Sequence, residues 1–157
     1  VINTAAKIST IKTIVTGGWI PLTSHKLLQR IHRHQYLRDL RNKLLYLHRV
    51  LLDTERIAYE QVSGRVSSGE LLQLAIDREQ FAWLHRISEL IVQIDEMLQA
   101  DEPVTPGIIR ELTAYTRTLL TPSETGDEFA RRYYNAFQQE PAVVLAHAEV
   151  TQLLNSH

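Results

Sequence analysis

From Ser24 onward the apolar residues of this chain recur at three- and four-residue intervals, the spacing that gathers side chains on one face of an α-helix. Ser24 is placed to cap the first of these helices. Leu27, Leu28 and Ile31 form an opening stripe, and Leu37, Leu40, Leu44, Leu47, Leu51 and Ala58 continue the seam, with Thr54 in its one gap. Residues 30–35 carry little apolar content, which leaves two readings: one helix running to about Val62, or two helices divided near His34. Residues 44–52 are apolar on more than one side, which predicts a place at the centre of the fold.

Punctuation later in the chain is equally local. Gly64 ends the long helix, and Ser67-Ser68-Gly69-Glu70 has the Ser-x-x-Glu form of a capping box ahead of Leu71, Leu72, Leu74, Ala75 and Ile76. Asp77 is a candidate cap for a helix over about 78–100, whose seam is Leu84, Ile87, Ile91, Ile94 and Leu98, widened by Trp83, Leu90 and Met97. Thr105-Pro106 reads as an N-cap followed by proline at the first helical position, opening a helix that presents Ile108, Ile109, Leu112, Tyr115, Leu119 and Leu120. Asp127 can cap a shorter helix carrying Phe129, Tyr133, Tyr134 and Phe137. Glu140-Pro141 breaks the chain before a last helix with Val143, Val144, His147, Val150, Leu153 and Leu154.

Residues 1–23 differ. They are rich in Thr, contain no acid and hold Gly17-Gly18-Trp19-Ile20-Pro21 near their end, so they read as an irregular N-terminal arm in front of one helical domain, 24–157. Ile8, Ile11, Ile14 and Val15 fit a short helix or a strand about equally. Short connections make sequential helices antiparallel. The expected fold is therefore all-α, a bundle of five to six mostly antiparallel helices whose core pair spans about 36–62 and 78–100.

With 157 residues and no cysteine, the chain has the length of a single domain that folds without a disulfide or metal, and thiolate metal sites and thiol nucleophiles are excluded. No stretch approaches the roughly 20 apolar residues of a membrane span, and the expectation is a soluble, cytoplasmic protein. The formal charge of −1 conceals a split: residues 1–50 hold nine basic side chains and one acid, a net of +8, and the other 107 residues carry −9. A basic segment of this kind can bind phosphates, lie on an anionic membrane, or pair with the acidic remainder of its own or a neighbouring subunit.

Candidate chemistry is sparse. His48, among Leu44, Leu45, Leu51 and Leu52, and His147, among Val143, Val144 and Val150, each sit on an apolar face. If they converged they could hold a cofactor, as histidines on facing helices of a bundle do; singly, each reads as a core histidine with a hydrogen-bond partner. No Glu-x-x-His pair, His-Glu-x-x-His motif, nucleophile elbow or glycine-rich phosphate loop occurs, so no metal or cofactor and no catalytic residue is expected. Lys26, Arg30 and Arg33 follow four- and three-residue steps along one helix face, and with Arg38, Arg41 and Lys43 they form the candidate nucleic-acid surface. The leading expectation is a non-enzymatic helical interaction or scaffold protein, a homo-oligomer or partner of another protein, that self-associates through its basic N-terminal arm. A nucleic-acid-associated bundle using residues 26–43 and a cofactor-binding bundle centred on His48 and His147 are the alternatives.

Overall fold

The computed structural model describes residues 22–157. Seven helices account for nearly all of them: α1 (Leu22–Ser63), α2 (Ser68–Asp77), α3 (Glu79–Ala82), α4 (His85–Gln99), α5 (Pro106–Leu119), α6 (Glu128–Gln139) and α7 (Pro141–Asn155). There is no strand among the described residues, and the all-α expectation holds for them. Of the arm expected over 1–23, only Leu22 and Thr23 are described, and both belong to α1; the possible element around Ile8–Val15 lies outside the described residues.

α1 is one helix of 42 residues, about 63 Å long at 1.5 Å per residue. The low apolar content of 30–35 does not divide it, because Arg, His and Gln are compatible with helix and neither Gly nor Pro intervenes. Ser24 consequently lies within the helix and not at its cap. Gly64 ends it with φ of 83°, and its N–H bonds to Glu60 O at 3.0 Å, a left-handed termination that glycine adopts without steric cost.

Three of the caps read from sequence are formed. Ser67 and Glu70 exchange both bonds of the capping box at the start of α2. Thr105 Oγ1 accepts from Ile108 N at 3.2 Å with Pro106 in the first turn of α5, and Asp127 Oδ1 accepts from Ala130 N at 2.9 Å at the head of α6. Asp77 does not cap. It is still helical, its carboxylate accepts from Gln73, and Arg78 is the extended residue that separates α2 from α3.

The single helix expected over 78–100 is interrupted at Trp83-Leu84, where bonds from Leu84 N to Phe81 O and from Ile87 N to Leu84 O tighten the backbone. Phe81, Trp83, Leu84 and Ile87 are all buried. At about 100° per residue an unbroken helix would point Phe81 and Trp83 to opposite sides, so the interruption is what brings both into the core. Glu55 of α1 secures the turn: its two carboxylate oxygens accept from Trp83 Nε1 and Gln80 Nε2, each at 3.0 Å.

The core is organised on α1. Leu37, Leu40, Leu44, Leu47 and Leu51 have no exposed surface, and they pack between α4, with Ile87, Leu90, Ile91 and Ile94, and α7, with Val143, Ala146, Val150 and Leu154. Polar pairs fix the direction of both neighbours. Arg41 meets Asp95 and Glu55 meets Trp83, so α4 descends as α1 ascends; Tyr36 lies against His157 and Lys43 against Glu149, so α7 does the same. Only one side of 44–52 is central, since Leu45 and Tyr46 are exposed, as is Ala58 at the end of the seam. On α5, Tyr115 is exposed, and Thr113 and Thr116 are buried in its stead. Both threonines are satisfied: Thr113 Oγ1 lies 2.7 Å from the buried Tyr36 hydroxyl, and Thr116 Oγ1 donates to Leu112 O at 2.8 Å.

Candidate functional site

His48 and His147 occupy separate environments. His48 is half-buried on the α1 side facing the start of α4, and its pKa is lowered from the ordinary 6.5, first by burial and then by the proximity of His85. His85 itself is exposed, its Nε2 2.9 Å from Ala75 O. His147 projects from α7 toward α6, where its Nδ1 lies 2.7 Å from the Tyr133 hydroxyl and the Phe137 ring meets it edge-on at 5.1 Å. Burial lowers its pKa as well. The two grooves that His147 lines are completed by residues of α5, α7 and the loop after α5, and His48 is in neither. Each histidine therefore has the surroundings of a packed, neutral imidazole, and the two share no described cavity. No group of three or more His, Asp or Glu side chains among the described residues is gathered as a metal site would require.

The six basic residues of 26–43 divide by partner. Arg41 pairs with Asp95 on α4, and Lys43 Nζ lies 3.6 Å from Glu149 on α7. Arg33 donates from Nε to Val104 O at 2.7 Å. Lys26, Arg30 and Arg38 are exposed and make no ion pair among the described residues. Part of the positive charge of the first 50 residues is thus met by acids of the same chain, though each of these partly exposed pairs contributes little stability by itself.

The chain matches no protein-family model, no curated protein and no solved structure.

Two features stand out at the N-terminal end of α1. The first is an uncovered helix segment: no residue from 24 to 35 is buried, and Leu27, Leu28 and Ile31 are 55%, 44% and 53% exposed. The second is an open cavity of about 560 Å³ between α1 and α5, lined also by His157. Gln29, His32 and Arg33 enter it from α1; Arg110, Thr113 and Arg117 enter it from α5. Its only charged side chains are arginines, and no Asp or Glu lines it.

Sequence reasoning found Arg33 and missed Arg110, Thr113 and Arg117. A signal existed: Pro106, Arg110, Thr113 and Arg117 follow four-, three- and four-residue steps, a polar stripe beside the apolar face of α5. Nothing local joined that stripe to residues 29–33, about 80 positions earlier.

Proposed function

We propose that this chain is a non-enzymatic interaction protein, built as a mostly antiparallel helical bundle, that self-associates through the N-terminal part of α1 and the arm preceding it. The observation that carries this reading is the cluster of Leu27, Leu28 and Ile31, three large apolar side chains about half exposed on a segment of roughly 18 Å that contributes nothing to the core. Burying a fully exposed side chain of this size is worth about 1.5–3 kcal/mol, so covering the half still exposed on each is worth roughly half of that, and contiguous exposed apolar surface of this kind marks a protein contact. A second copy is the partner that the charge favours. Lys26 and Arg30 flank the apolar residues, and residues 51–157 of a neighbour carry −9 to meet them.

Two observations weigh against the other readings. Arg41 and Lys43 are engaged with Asp95 and Glu149, which shortens the basic surface left for nucleic acid to Lys26, Arg30, Arg33 and Arg38. His147 lies against Tyr133 and lines grooves that His48 does not reach, so the two imidazoles are not placed to hold one cofactor.

Sedimentation of the intact chain tests the proposal. The expected result is a mass above that of the 18.1 kDa monomer at micromolar concentration, falling to the monomer value in the Leu28→Asp, Ile31→Asp double variant with unchanged helical circular dichroism. A monomer mass for the unsubstituted chain across the concentration range overturns it.

A further inference from the structure

The cavity between α1 and α5 has a composition that calls for an anion. Three guanidinium groups, Arg33, Arg110 and Arg117, and two imidazoles, His32 and His157, line a single space of about 560 Å³ with no Asp or Glu side chain in its wall. Ligand cavities span about 300–1,000 Å³, so there is room for a small organic molecule. Farther along α1 the fold supplies acids to two of its cations, Asp95 to Arg41 and Glu149 to Lys43. Here it supplies main-chain carbonyls: Arg33 Nε donates to Val104 O at 2.7 Å, and Arg117 Nη2 donates to Leu154 O at 2.9 Å. A carbonyl orients a guanidinium without neutralising it, and both forks keep N–H groups that these bonds do not use. Two pre-positioned forks and a third arginine, Arg110, about two turns before Arg117 on the same face of α5, make the arrangement that planar, multidentate recognition of phosphate uses.

Besides Gln29 and Thr113, the remaining wall is apolar, formed by Pro106, Ile109 and Ala114. We propose that this cavity binds the phosphoryl group of a small soluble organic phosphate, with Arg33, Arg110 and Arg117 around the anion and the Pro106, Ile109 and Ala114 surface against the organic part. A phosphate dianion matches the uncompensated charge better than a monocarboxylate, which would neutralise one guanidinium and leave two repelling each other. Binding relieves that repulsion, so ligand raises the thermal stability of the fold. This site is independent of the self-association read from Leu27, Leu28 and Ile31, whose side chains do not line it.

Titration of the intact chain with phenyl phosphate, inorganic phosphate, phenol and benzoate, each at matched low ionic strength and followed by amide chemical shifts and melting temperature, provides the test. Phenyl phosphate is expected to bind more tightly than inorganic phosphate or benzoate, and phenol not at all. The shifts are expected to centre on Arg33, Arg110, Thr113 and Arg117. Arg110 makes no hydrogen bond or ion pair among the described residues, so Arg110→Gln should hold or raise the unliganded melting temperature and weaken phenyl phosphate about tenfold, the effect of losing one charge-assisted contact at an exposed position. Arg38→Gln, on an exposed arginine outside the cavity, should change nothing. No saturable shift at these four residues in the unsubstituted chain overturns the proposal whatever the variants do. So does an equal loss in Arg38→Gln, or binding confined to phosphatidic acid vesicles, which would make the surface a lipid contact.

Discussion

Replacing Tyr133 by Phe removes one oxygen from a side chain with no exposed surface, and the structure specifies what that oxygen does. Burial raises the phenol pKa far above its ordinary 10.0, so the hydroxyl keeps its proton at any physiological pH. His147 Nδ1, 2.7 Å away, is the one hydrogen-bond partner of that buried O–H among the described residues, so donation to it satisfies the phenol proton, and the imidazole, its pKa lowered, then carries its own proton on Nε2. The aromatic packing is untouched by the substitution, since the Phe129 ring stacks on that of residue 133 at 5.7 Å and a phenylalanine fills the same place. What is lost is one hydrogen bond, worth about 1 kcal/mol net. The larger penalty of an orphaned buried acceptor, up to about 3 kcal/mol, does not apply, because His147 is only partly buried and borders two open grooves through which water reaches it. For a chain of this length about 1 kcal/mol lowers the melting temperature by roughly 2–4 °C. Urea denaturation followed by circular dichroism measures the loss, and nitrogen chemical shifts of the imidazole report the tautomer: Nε2–H throughout in the parent, a mixture in Tyr133→Phe. Equal stability of the two proteins, or an Nδ1–H tautomer in the parent, would refute the donor assignment and with it the view of His147 as a satisfied packing histidine.

Two further outcomes follow from burial on α1. Leu47, fully buried between α4 and α7, and Leu45, 39% exposed two residues earlier, should respond very differently to alanine: about 3 kcal/mol lost for Leu47→Ala, or roughly 6–12 °C in melting temperature, against under about 1 kcal/mol for Leu45→Ala, with similar losses contradicting the rotation of α1 about its axis. Acidification should also destabilise the fold. The folded-state pKa values of His48 and His147 lie below the ordinary 6.5, so the unfolded chain binds more protons; this contribution is fully present above the unfolded value and is lost as pH falls through it toward the folded values, at no more than about 1.4 kcal/mol per pH unit for each histidine. Between about pH 7 and pH 5.5, above the range where the hydrogen-bonded carboxylates of Glu60, Glu70 and Asp127 titrate, His48→Gln should flatten the slope; an unchanged slope would show that His48 charges freely in the folded state.

What could be read from sequence was whatever lies within one helical turn. Ser67 and Glu70, Thr105 and Pro106, Asp127 and Gly64 are recognisable because a cap depends on a side chain and an amide two or three residues apart. The α1 seam was legible for a similar reason, its period being a property of the helix itself. The interruption at Trp83-Leu84 was not, since it contains neither Gly nor Pro and arises because Phe81 and Trp83 both gain a place in the core, with Glu55 holding the indole from another helix. Tyr115 was misjudged on α5 for a comparable reason. By apolarity it outranks Thr113, yet the buried Tyr36 hydroxyl supplies Thr113 with a partner, and a satisfied threonine costs little to bury.

The charge split shows how far a sequence-level quantity can be taken. A net +8 over residues 1–50 is compatible with phosphate, membrane or self-pairing, and only geometry separates cations that have acids from those that do not. Arg41 and Lys43 spend their charge inside the chain, on helices that run back along α1. Arg33 lies about two turns before Arg41 on the same helix, but its Nε meets a carbonyl in place of a carboxylate, and α5 brings it two more arginines in place of an acid. Such an arrangement costs folding free energy unless an anion or solvent screens it. Within the same run of basic residues Arg41 and Lys43 are therefore structural and Arg33 is available for recognition, and α1 leaves the core between Arg33 and Tyr36.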